Sequence, residues 1–159
     1  MLEISASTWV ASGTNYDYEL CLRMINMEQK AITTHGKRKR AIARATLKPG
    51  KGIVTVNDID IDNYEPKIFQ LKIKEPLIIA GDIANQVDIR VNMVGGGISS
   101  QTAAARLAIG KALVEYSPRL KKIFLEYDRQ LLVADVRRKE SAKPNRHGQA
   151  RAKRQKSYR

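Results

Sequence analysis

Cysteine is all but missing from this chain: Cys21 is the only one in 159 residues. That excludes an internal disulfide framework and any structural zinc site built from several thiolates, and leaves Cys21 as a small apolar filler. Long apolar runs are missing as well. Stretches such as Leu77-Ile78-Ile79-Ala80 fall far short of the roughly 20 residues a bilayer span requires, so no transmembrane segment is expected. The start of the chain has Glu3, no early Lys or Arg, and a stretch from Leu2 to Val10 broken by Ser and Thr. It therefore lacks the charged head and apolar middle of a secretion signal, and an intracellular protein is expected.

Positive charge is abundant instead. There are 29 Lys plus Arg against 16 Asp plus Glu, a formal net charge of +13, while 43% of residues are apolar. A chain of this length with that apolar share makes one domain with a core, so disorder throughout is excluded. The charge is unevenly spread: residues 1–30 carry a net −2, residues 31–136 +6 and residues 137–159 +9. The last segment, RRKESAKPNRHGQARAKRQKSYR, has no Leu, Ile, Val, Phe or Met. It cannot bury enough apolar area to offset the entropy of ordering, and is expected to be disordered alone in water. Fully extended at roughly 3.3 Å per residue it reaches about 75 Å, several times the radius of the domain that carries it.

Ten cations stand along this arm: Arg137, Arg138, Lys139, Lys143, Arg146, Arg151, Lys153, Arg154, Lys156 and Arg159. Their density suits phosphate neutralisation with counterion release and folding on binding. No amphipathic apolar stripe or lipidation signal accompanies them, which favours nucleic acid over a membrane surface. The expected organisation is an N-terminal extension over residues 1–26, a globular domain over 27–136 and the basic tail over 137–159. Met24 and Met27 lie at the end of the first segment, and either is a candidate start.

Along the domain, the cluster Lys37-Arg38-Lys39-Arg40 leads into a period of two, with Ala41, Ala43, Ala45 and Leu47 alternating with Ile42, Arg44 and Thr46. This predicts a half-buried strand. Lys48-Pro49-Gly50-Lys51-Gly52 is turn chemistry, residues 53–56 restart as a β-branched strand, and together they predict a β-hairpin with a basic tip. Asp58, Asp60 and Asp62 lack the glycine and the closing Glu of a calcium loop and are read as polar edge and loop. A helix of two to three turns is predicted up to Ala80, with Pro66 in its first turn and Pro76 ending or kinking it. Val87, Ile89, Val91 and Met93 alternate with Asp88, Arg90 and Asn92, the cleanest strand in the chain. Gly95-Gly96-Gly97 follows, then an alanine-rich helix with Ser99 or Ser100 as N-cap and Ser117-Pro118 at its end. Leu120, Ile123, Phe124 and Tyr127 continue at helical spacing, and residues 131–136 read as a last strand.

Strand, glycines, helix is a phosphate-cradling arrangement in several nucleotide sites. The residues from Gly95 to Gln101 nevertheless match neither the Walker pattern nor G-x-G-x-x-G. Two readings stay open: a sharp turn that lets the helix pack close to the sheet, and the same turn with backbone amides on RNA phosphate. A small nucleotide-binding enzyme using Gly95, Gly96 and Gly97, or a free nucleic-acid chaperone, are the alternatives of another class. His35 and His147 have no Ser, Cys or carboxylate at a spacing that would build a catalytic set, so no enzyme activity, metal or cofactor is expected.

The segment Gly95-Gly96-Gly97-x-x-Ser100-Gln101-x-x-Ala104-x-x-x-Ala108-x-Gly110-Lys111-Ala112-Leu113 resembles the signature of the small ribosomal subunit protein nine family. Residues 36–45 and the terminal Lys156-Ser157-Tyr158-Arg159 are similar to the same family, the latter in its archaeal and eukaryotic form. Val94 departs from it, standing where members often carry a basic residue. The resemblance, over about residues 34–159, implies an α+β two-layer sandwich similar to the second domain of ribosomal protein five, a four-stranded sheet with helices on one face plus the extended basic tail. It also implies a non-enzymatic constituent of the cytoplasmic ribosome, in the head of the small subunit beside neighbouring head proteins. Lys37, Arg38, Lys39, Arg40, Arg44, Lys48 and Lys51 of the domain, with Arg137, Arg138, Lys139, Lys143, Arg146, Arg151, Lys153 and Arg154 of the tail, are the candidate rRNA contacts. Lys156, Ser157, Tyr158 and above all Arg159 are the candidate contacts to P-site tRNA; an arginine fork grips phosphate in two places without reading bases.

Overall fold

In the computed structural model residues 31–151 are described; the expected extension 1–26 lies outside the described residues. The alternating sequences form strands with one covered and one open face. In β2 (Ala41–Pro49) the residues Ala41, Ala43, Ala45 and Leu47 are buried, and in β5 (Val87–Val94) Val87, Ile89, Val91 and Met93 are. The two strands pair antiparallel, with Ala45 opposite Val91 and Leu47 opposite Ile89, so their apolar sets share one face. β1 (Ile32–Arg38) pairs antiparallel with β2 through the two-residue connection Lys39-Arg40, and β3 (Val54–Val56) pairs parallel with β5 on its far side. β4 (Ile59–Asp60) completes a five-stranded mixed sheet of order β1-β2-β5-β3-β4.

Three α-helices accompany the sheet among the described residues: α1 (Lys67–Ala80), α2 (Ile98–Tyr116) and α3 (Leu120–Tyr127). α2 packs on β1, β2 and β5, and α1 packs beside α2. The opposite sheet face, with His35, Lys37, Arg44, Lys48, Arg90 and Asn92, is exposed or half-exposed. The sandwich closes over Ile73 of α1, Ile109 and Leu113 of α2, Phe124 of α3 and Leu131, each fully buried. Seating α2 on β1 requires Gly36: a Cβ there would stand 2.1 Å from the Ala104 carbonyl oxygen. One turn along, the buried Thr34 hydroxyl donates to the Ala108 carbonyl at 2.7 Å and fixes the helix along the strand.

The predicted hairpin of residues 41–56 does not form. β2 and β3 lie on opposite sides of β5, and the hairpin joins β1 to β2 instead. The reason is Asp88, whose carboxylate accepts from the Lys51 amide at 2.8 Å and the Ile53 amide at 2.9 Å. The turn-rich loop is thereby led across the start of β5 rather than back along β2. Gly50 permits this, since a Cβ there would lie 2.0 Å from the Asp88 carboxyl. The same two amides hold the Asp88 carboxyl below its ordinary value.

Two further differences alter the strand count from the four expected. Residues 131–136 are not a strand: the Asp128 carboxylate accepts from the Gln130 amide at 2.8 Å and caps a 3-10 turn over Arg129–Leu131. β1 and β4 are strands that the periodicity did not announce, and β3 and β4 are joined by Asn57 and Asp58 at φ 49° and 66°, the positive pair of a tight hairpin turn. Of the alternating acids after β3, Asp58 pairs with Arg90 and Asp62 with Lys74. α1 runs through Pro76 to Ala80, the proline ring being buried in the core. The N-cap of α2 is Gly97, not a serine, and its carbonyl accepts from the Ser100 and Gln101 amides at 2.9 Å each.

Two outcomes follow from these contacts. Gly36→Ala must push a strand against a helix backbone and is expected to cost about 2 kcal/mol or more in denaturant unfolding. Asp88 has a depressed folded-state pKa, so its contribution is complete above the ordinary aspartate value, about 3.9, and is lost as pH falls through the folded value. Asp88→Asn should therefore lower the melting temperature at neutral pH, with a gap from the unaltered chain that closes on acidification; a gap constant with pH would refute this role.

Candidate nucleic-acid interface

The triple glycine ends β5 and opens α2. Gly95 and Gly96 have φ of 73° and 70°, a left-handed backbone open to glycine at little cost. Both also lie against the β1–β2 turn. A Cβ on Gly95 would stand 2.9 Å from the Arg40 carbonyl oxygen, and one on Gly96 3.0 Å from the Ala41 Cβ. Gln101 reaches back from α2 and donates to the Gly95 carbonyl at 3.2 Å. The loop thus brings the start of α2 beside Lys39 and Arg40. These two glycines serve backbone-to-backbone contact, whereas a Cβ on Gly97 would meet nothing within 4 Å.

The chain returns to the same place after α3. Asp135, its side chain only 10% exposed, pairs with Arg38 of β1, accepts from the Arg137 amide at 2.8 Å and pairs with the Arg137 guanidinium at 3.0 Å. This fastens the base of the basic segment to the sheet. Residues 132–151 contain neither helix nor strand, yet they are locally tied: Arg151 pairs with Glu140 at 2.5 Å, and the Lys143 amide donates to the Gln149 carbonyl at 2.8 Å. Glu140 raises the Arg151 guanidinium above its ordinary value.

The result is an open groove of about 870 Å³ with Lys39, Arg40, Arg137, Arg138 and Lys139 along it, Gly96, Gly97 and Ser100 at one side, and the acid Glu140 in its wall. α2 has no acidic residue in its first turn, and the first amides of a helix have no partner within it. Helix end and cations add to one positive field, and Glu140 is already taken by Arg151. An extended polyanion fits such a trough: its phosphates are strong acceptors, and cations so placed bind backbone without reading sequence.

The structure gathers some predicted contacts and separates others. Lys39, Arg40, Arg137, Arg138 and Lys139 converge on the groove. Lys37, Arg44 and Lys48 lie exposed on the open face of the sheet, and Lys51 is exposed in the loop whose amide Asp88 holds. Arg38 is half-buried by its pair with Asp135, so it secures the tail instead of presenting a free cation. Lys143 and Arg146 are exposed on the irregular segment beyond the groove. Lys153, Arg154, Lys156, Ser157, Tyr158 and Arg159 lie outside the described residues. Asp135 and Ser100 join the site without having been expected there; a single acid just ahead of the basic run was the available signal for the first. Arg90 is a further addition, and lies on the open face while paired with Asp58.

No helix among the described residues is long and apolar enough to cross a membrane. An α+β domain with a cationic trough at the junction of sheet, helix end and basic arm is of the class suited to holding a polyanion by its backbone. Residues 36–159 match the family model described as ribosomal protein S9/S16. The chain is 48% identical over 133 residues to small ribosomal subunit protein uS9 of Methanococcus maripaludis strain C5, an overlap covering 82% of this chain and 99% of the relative. It is 47% identical over 133 residues, with the same coverage of both chains, to uS9 of Methanococcus vannielii. The chain belongs to the ribosomal protein S9/S16 family, whose members are structural and not enzymes.

Charge removal in the groove gives a direct check. Lys39→Gln combined with Arg40→Gln should make the slope of log affinity against log salt for a single-stranded RNA shallower by about 1.4, at roughly 0.7 for each phosphate no longer neutralised. An unchanged slope would separate these two residues from the interface.

Proposed function

We propose that this chain is a structural constituent of the small ribosomal subunit, held in place by binding rRNA phosphates along the groove and along the arm that leaves it. The observation that carries the reading is the convergence of five cations and the α2 N-terminus on one trough, in a chain of this family. The relatives carry the small ribosomal subunit in their name, and rRNA and neighbouring subunit proteins are the partners that fit. The open sheet face, with Lys37, Arg44 and Lys48, supplies a second, more diffuse contact to the same polymer.

The finer assignment divides the chain into an extension over 1–26, a domain over 27–136 and a tail over 137–159. The layered domain is of the kind described for the second domain of ribosomal protein five, here with five strands. The tail runs inward over rRNA in the subunit head, and Lys156, Ser157, Tyr158 and Arg159 meet the backbone of P-site tRNA. Arg159 is the strongest of these contacts by chemistry, since a planar guanidinium binds phosphate in two places.

Deleting residues 156–159 from the sole cellular copy tests the tRNA role. Subunits should still contain the protein by sedimentation, while P-site tRNA affinity falls about tenfold, the worth of one charge-assisted hydrogen bond. Unchanged tRNA affinity in such ribosomes would reject the role while leaving rRNA binding intact.

A further inference from the structure

One face of this strongly basic protein is apolar. On α1 the residues Ile68, Leu71 and Ile78 are 68%, 62% and 72% exposed, and Tyr127 at the end of α3 is 60% exposed. Ile68, Leu71 and Ile78 are spaced by three and seven residues, so they form one stripe about 15 Å long on a helix rising about 1.5 Å per residue. Between this stripe and Tyr127 runs a shallow groove of about 440 Å³, with Lys72, Glu75 and Ile79 among its walls.

The acid in this groove is already satisfied. Glu75 receives two contacts from Arg106, at 2.6 and 2.8 Å, and faces the Tyr127 hydroxyl. Arg106 in turn bonds Asp128 at 2.9 Å, which joins α1, α2 and the end of α3 beneath the groove. The floor thus sets one guanidinium against two carboxylates, so a partner's apolar side chains suit the floor and its carboxylates suit the lysines outside it. Lys72 stands exposed in the groove wall, and Lys67, one turn before Leu71 on α1, is exposed too; neither has an ion pair among the described residues. Lys67 occupies the first turn of α1, where a cation opposes the helix dipole, so helix stability does not explain its place.

We propose that this groove docks an acidic segment of a neighbouring protein, one that inserts apolar side chains between α1 and Tyr127 and sets carboxylates against Lys67 and Lys72. The inference rests on the chain's place in the small subunit. RNA is the poorer occupant, because the wall is mostly aliphatic (Leu71, Ile78 and Ile79) and its one aromatic, Tyr127, has its hydroxyl turned to the Glu75 carboxylate, which repels phosphate. A second copy of this chain is poorer too, since it would bring one lysine rim against another. Exposed apolar stripes with a charged rim are the usual form of a protein contact.

Two measurements on intact small subunits decide it. In the first, hydroxyl-radical oxidation of Leu71, Ile78 and Tyr127 in the unaltered protein is compared between the free chain and the subunit. Several-fold protection is expected, and equal oxidation would overturn the proposal. In the second, Leu71→p-benzoylphenylalanine is irradiated in purified subunits. The expected product is a cross-link to a ribosomal protein at a segment rich in Asp or Glu, and its yield should fall severalfold with Lys67→Glu plus Lys72→Glu yet survive Lys67→Arg plus Lys72→Arg. A cross-link to rRNA, or a yield indifferent to charge reversal, overturns it. Absence of the unaltered chain from sedimented subunits would overturn the subunit reading itself, and the docking with it.

Discussion

The close approach of α2 to β1 is the constraint on which the other layers depend. Helices and sheets usually stand about 10 Å apart because side chains fill the space between them. Here Gly36 on the strand faces Ala104 and Ala108 on the helix, and no side chain larger than hydrogen fits at the strand position. The Thr34 hydroxyl adds a hydrogen bond to the helix backbone. With its middle held so closely, the N-terminus of α2 can lie only near the β1–β2 turn, where Gly95 and Gly96 receive it. Position and field of the cationic groove are therefore consequences of packing at the centre of the domain.

Electrostatics divides the charged residues in a similar way. The acids of the described domain have internal partners where the fold needs direction. Asp88 steers a loop by its amides, Asp135 secures Arg38 and Arg137, and Glu75 with Asp128 fixes Arg106. Such pairs contribute little net stability at the surface, but each fixes a backbone segment. The cations in excess of them face outward and form the positive surface. Among the described residues the charges accordingly form two populations, one that builds the domain and one left open to solvent.

What could be read in the sequence follows the same physics. β2 and β5 were legible because each has one covered face, so apolar residues recur every second position. α2 was legible from its alanines and from the glycines before it. β1 was not, because ITTHGKR buries Thr34 and Gly36, a threonine and a glycine that carry no apolar period. The turn after β2 was legible as a turn, but its direction was decided by Asp88, some 35 residues on, and no local signal reports a distant carboxylate. Leu131 to Val136 had the composition of a strand, yet Leu131 is buried with its carbonyl against Gly110 of α2 and the chain turns there instead. The site was legible as a population of cations. Which of them converge, and that Arg38 is spent on Asp135, depends on contacts between residues nearly a hundred positions apart.

The tie at Asp135 also bears on how a basic arm can bind with direction. A tail free at its base must lose backbone freedom along its whole length when it is ordered on a polyanion, about 1–2 kcal/mol for each residue fixed. Charge alone recovers that cost unevenly, because exposed cations act over only about 8–10 Å at physiological salt. Fastening Arg137 beside Lys39, Arg40 and the α2 N-terminus places the first tail cations inside the field of the domain before any partner arrives. On the proposed reading, a strand of phosphates in the groove would meet the arm already aligned with its path. On that reading the anchor gives a diffuse attraction a defined starting point on the folded domain.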